Sequence, residues 1–128
     1  MALIFLLNYL IYGQLNMIYP DEIHDELKRL NKRAEQIGKP SNNKEALELA
    51  LILSKTAEIQ GQWHMDMLDN KVDVKYCYEM QSLSREYIIN RLQYWHKQLG
   101  LALDHVGLYA NKVDPKEHER MLIQLNEW

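Results

Sequence analysis

Polar and apolar positions along the chain alternate with a helical period over most of its length. In Glu79–Gly100, EMQSLSREYIINRLQYWHKQLG, the residues Ile88, Leu92, Trp95 and Leu99 recur at spacings of four, three and four. That is the seam of an amphipathic helix. Met80, Leu83, Tyr87 and Tyr94 widen its apolar arc to about half the circumference, at 100° per residue. An arc that wide predicts packing against more than one neighbour. Gly100 is read as the stop, which gives a helix over 79–99.

A second helix, over 43–68, is apolar or small at most positions. Ala50, Ser54, Ala57 and Gly61 follow the same four-three-four spacing. An antiparallel pair of the two would set Ala50 beside Leu99, Ser54 beside Trp95, Ala57 beside Leu92 and Gly61 beside Ile88. Large against small lets helices approach closely without voids. Asn42 followed by Glu45 marks its start as an N-cap with a capping-box partner.

Two shorter helices flank this hairpin. Over 20–38, Ile23, Leu27, Leu30, Ala34 and Ile37 make a narrow stripe. Pro20 stands near the first turn, Gly38 is placed to cap the end and Pro40 blocks continuation. Asp21, Glu22, Asp25 and Glu26 fill the first half, and Lys28, Arg29, Lys32 and Arg33 the second, an order that complements the helix dipole. Over 115–128, Asp114-Pro115-Lys116-Glu117 supplies an N-cap, an N1 proline and an N3 glutamate. Met121, Leu122, Leu125 and Trp128 line one side.

Two stretches depart from the helical pattern. Val72, Val74, Tyr76 and Tyr78 alternate with Asp73, Lys75 and Cys77, a period of two that fits a short extended connector or a strand paired with another subunit. Helical continuation is the alternative, since seven residues of β-propensity are weak evidence. Met1–Tyr12, MALIFLLNYLIY, is apolar nearly all round and uncharged. It is too short to span a bilayer, which takes about 20 apolar residues. It also lacks the basic start and cleavage site of a signal peptide. It reads as a buried helix or a helix against another subunit; alternatively the ordinary sequence opens at Met17. After Gly100, LALDHVGLYANKV is read with a bend at Gly107.

The fold class is therefore all-α, a single helical domain over 1–128, built on a long antiparallel hairpin. Its 128 residues are one domain's worth, and 47% hydrophobic with 26% charged residues suits a packed core rather than disorder. The single cysteine, Cys77, excludes an intramolecular disulfide and fits a reducing, cytoplasmic setting.

Composition and motifs narrow the chemistry. The net charge of −3 disfavours a surface made wholly for nucleic acid while leaving room for a local basic patch. His24, His64, His96, His105 and His118 form no H-x-x-x-H pair, so no zinc site is expected. There is no Gly-rich phosphate loop and no G-x-S-x-G elbow, and no cofactor is expected. Lys28, Arg29, Lys32 and Arg33 point away from the apolar stripe. They are either a solvated face that offsets the dipole or phosphate contacts, with Lys39 and Lys44 as helpers. Glu45-x-x-Glu48 and Asp66-x-x-Asp69 each place two acids one turn apart, able to share a divalent cation. Such pairs resemble the motifs of the all-helical nucleotide pyrophosphohydrolases. Those enzymes bring the pairs together from two helices. Here both lie on one helix, roughly 30 Å apart at 1.5 Å per residue.

The order of parts over about Tyr19–Leu103 resembles the small terminase subunits of tailed phages. The matching pieces are the helix YPDEIHDELKRLNKRAEQIG, the Ala/Leu-rich KEALELALILSKTAEIQGQW, a connector, and REYIINRLQYWHKQLGL with its closing Leu-Gly-Leu. ALDHVGLYANKV stands where that family has a serine- and arginine-bearing tail, and MALIFLLNYL where it has a basic segment. The resemblance implies a non-enzymatic DNA-packaging adaptor in the host-cell cytoplasm. It would be a homo-oligomer that binds duplex DNA and feeds a large terminase ATPase. Lys28, Arg29, Lys32 and Arg33 would be its phosphate contacts. Tyr12, Trp63, Tyr87, Tyr94 and Trp128 are candidates for core or subunit contact. A small helical inhibitor or protein-interaction module is the alternative. A metal-dependent pyrophosphohydrolase using Glu45, Glu48, Asp66 and Asp69 is a further one.

Overall fold

The computed structural model describes residues 21–68 and 85–127, and every regular element within them is an α-helix. In chain order these are α1 (Asp21–Ile37), α2 (Asn43–Leu68), α3 (Arg85–Ala110) and α4 (Pro115–Glu127). The all-α class and the long pair with shorter flanking helices are as the sequence predicts. The apolar Met1–Tyr12, the alternating Val72–Tyr78 with Cys77, the seam residues Met80 and Leu83, and Asp69 and Trp128 lie outside the described residues.

α2 and α3 run antiparallel. Near the start of α2, Leu47 and Leu51 cluster with Val106, Tyr109 and Ala110 near the end of α3. Farther along α2, Ala57 and Gly61 face a groove shared with Leu92 and Leu99. The small residues serve the close approach that the sequence implies: Ala50, Ala57 and Trp95 are buried in one cluster, with Leu99 packed against it. Ser54 is only half-buried and turns its hydroxyl back to the Leu51 carbonyl, 2.8 Å away.

The hub is α2. α1, α3 and α4 each pack against it. Residues 46–53 of α2 are buried without interruption, so the helix is covered all round there. α1 crosses it through Leu30 and Ala34, which join Leu49 and Leu53 in the main cluster. Gly38 ends α1 as expected: its φ of 62° is left-handed, and its N–H donates to the Ala34 carbonyl at 3.0 Å. Asn42 caps α2 by accepting the Glu45 N–H on Oδ1 at 2.9 Å. The Glu45 carboxylate accepts from the Ser41 hydroxyl at 2.8 Å.

The helix predicted over 79–99 ends later than expected, and residues 79–84 lie outside the described residues. α3 runs without a break through Gly100 and Gly107 to Ala110, so neither glycine stops or bends it. A glycine within a helix costs only about 1 kcal/mol relative to alanine. Burying Ala102 and packing Val106, Tyr109 and Ala110 against the core outweighs that. The chain turns instead at Asn111–Val113, where the Lys112 N–H reaches the Tyr109 carbonyl at 3.0 Å. Asp114 then caps α4, accepting the Lys116 N–H at 2.8 Å. Met121 is buried and Leu125 packs beside it, but Leu122 faces out.

Candidate functional site

The second half of α1 carries the cations that the sequence singles out. Lys28, Arg29 and Lys32 are exposed. Arg33 is not a free cation. Its Nε and Nη2 donate to the two carboxylate oxygens of Glu48 at 2.7 and 2.9 Å. This two-pronged pair joins α1 to α2, with Glu48 almost fully buried and Arg33 partly open. The bond to Glu48 raises the Arg33 pKa further, so the guanidinium stays charged. Two of the open cations adjoin acids of the same helix: Glu22, Asp25 and Glu26 line one shallow depression with Lys28 and Arg29. Of the two further helpers, Lys39 is exposed, and Lys44 reaches Glu117 of α4 at 3.2 Å.

The paired acids are not assembled by the described residues. Glu48 is occupied by Arg33, and Glu45 by the start of its own helix. Asp66 accepts from Gln62 at 2.9 Å, far along α2. Among the described residues no three His, Cys, Asp or Glu side chains gather as a metal would need.

The sequence reading missed a buried polar line on α2. Thr56, Gln60 and His64 follow at spacings of four and are all buried, as is Gln98 of α3. The sequence carries no distinct signal for it, because α2 also bears Lys44, Glu45, Lys55, Glu58 and Asp66, and only packing separates its enclosed polar residues from its open ones. Thr56 bonds back to the Ile52 carbonyl at 2.9 Å. His64 lies 2.7 Å through Nδ1 from the Gln60 carbonyl, which makes Nδ1 the donor. Its Nε2 is buried without a hydrogen-bond partner among the described residues. Burial, against that one backbone bond, lowers its pKa to about 4, and the positive charge of Arg91 pushes the same way. His64 is therefore a neutral core histidine at pH 7. Arg91 lies over the rings of Tyr94 and Trp95, at 4.7 and 5.8 Å from their centroids. Of the aromatic candidates, Trp63 is buried, while Tyr87 and Tyr94 are half-buried.

An open apolar groove lies between α2 and α3, with Trp95 on its floor and Ala57, Gly61, Met65, Leu92 and Leu99 around it. Among the described residues no helix is long and apolar enough to cross a membrane. Set against family models, curated proteins and solved structures, the chain gives no match.

Proposed function

We propose that this chain is a non-enzymatic helical adaptor that touches duplex DNA through phosphate contacts, in its specific form a phage-type packaging adaptor serving a large ATPase. The observation that carries the reading is the division of labour among the α1 cations. Arg33 fixes the helix to α2, and Lys28, Arg29 and Lys32 stay open on the exposed side. Phosphate contacts of this kind position a protein without reading sequence. Three of them give only weak binding per chain, and the neighbouring acids weaken it further. Useful affinity then requires several copies on one duplex, where avidity multiplies weak contacts. Oligomerisation, which the resemblance implies, is thus a physical requirement of the proposal.

The test pairs mass with binding. Light scattering behind a sizing column, at low and high salt, should return a closed oligomer. Duplex binding should weaken with salt at a log–log slope of about −2 to −3 per engaged chain, since each phosphate contact contributes about −0.9. Changing Lys28, Arg29 and Lys32 together to Gln should flatten that slope while leaving the helical content unchanged. A monomer that ignores DNA at low salt would sink the proposal.

A protein-interaction module is the second reading. Leu103, Leu108, Leu122 and Ile123 on α3 and α4 favour it, each at least 41% exposed. Large apolar side chains left open are what a protein partner covers. The monomer without DNA affinity is the outcome that would favour this reading over the first.

A further inference from the structure

We draw no further inference here: the strongest candidate, the open apolar groove between α2 and α3 with Trp95 on its floor, carries none because nothing in the structure shows what covers it.

Discussion

α2 and α3 are both 26 residues long, yet fourteen residues of α2 are buried and only Trp95, Gln98 and Ala102 of α3. α3 has the bulkier seam, with Ile88, Leu92 and Leu99 beside Trp95, and those three are only half-buried. α2 has the smaller one, and its Ala50 and Ala57 are fully enclosed. Side-chain bulk therefore does not identify the central helix. Small residues become central because neighbours can come close on every side of them. α3 holds to the bundle through a few deep anchors, whereas α2 is held along most of its length.

The comparison breaks most visibly at Trp95. If α3 depends on few anchors, Trp95→Ala should lower unfolding stability by about 3–5 kcal/mol, the range for deleting a buried large aromatic. Leu92→Ala, at a half-buried site one turn away, should cost about 1 kcal/mol. Urea unfolding monitored by circular dichroism reads both. Equal losses would mean that α3 is held evenly along its length.

His64 offers the next largest effect. Its pKa is lowered in the folded chain from 6.5 to about 4. The folded state therefore binds a proton less readily than the unfolded chain. The stability contributed by the neutral ring is complete above about pH 6.5 and is lost as pH falls towards 4. The full shift corresponds to about 3 kcal/mol. His64→Leu should remove that part of the pH dependence. Unfolding midpoints of the two proteins should differ in slope between pH 6.5 and 4 and run parallel above pH 7. Parallel curves throughout would show that the ring accepts its proton without cost, for instance by turning to solvent.

The ion pair between α1 and α2 sharpens the contrast between a covered and an open partner. Glu48 is nearly enclosed and Arg33 is partly open. Arg33→Gln leaves a buried carboxylate with less compensation and should cost about 2 kcal/mol. Glu48→Gln leaves a guanidinium that can turn to water, and should cost about 1 kcal/mol. Thermal melts at pH 7 would resolve that order. The reverse order would mean that the Glu48 carboxylate finds other compensation once Arg33 is gone.

These residues also show what was legible in the sequence. The bounds of α1, the cap at Gly38 and the starts of α2 and α4 were readable because proline, glycine and capping side chains act within one turn of chain. The all-α class followed from periodicity. The Arg33–Glu48 pair was not readable: the two residues are fifteen apart in sequence, and only the crossing of α1 over α2 joins them. Sequence alone therefore grouped Arg33 with three open cations. The same limit hid His64, since a polar residue in a helix is ordinarily assigned to water and its enclosure depends on what packs over it. It also displaced the end of α3, where a local stop signal at Gly100 was outweighed by distant contacts.

Gly100 gives the smallest effect. Within α3 it is exposed, and a Cβ there would meet nothing within 4 Å. Alanine would therefore introduce no clash. It would reduce the freedom of the unfolded chain and favour the helix, raising stability by about 0.5–1 kcal/mol. Gly38 is its opposite. Its φ of 62° strains any L side chain, so Gly38→Ala should lower stability by about 1 kcal/mol. Thermal melts of the two variants should move in opposite directions. If Gly100→Ala destabilised the chain, α3 would have to leave helical geometry at that residue, and Leu101–Ala110 would no longer be a continuation of the helix that begins at Arg85.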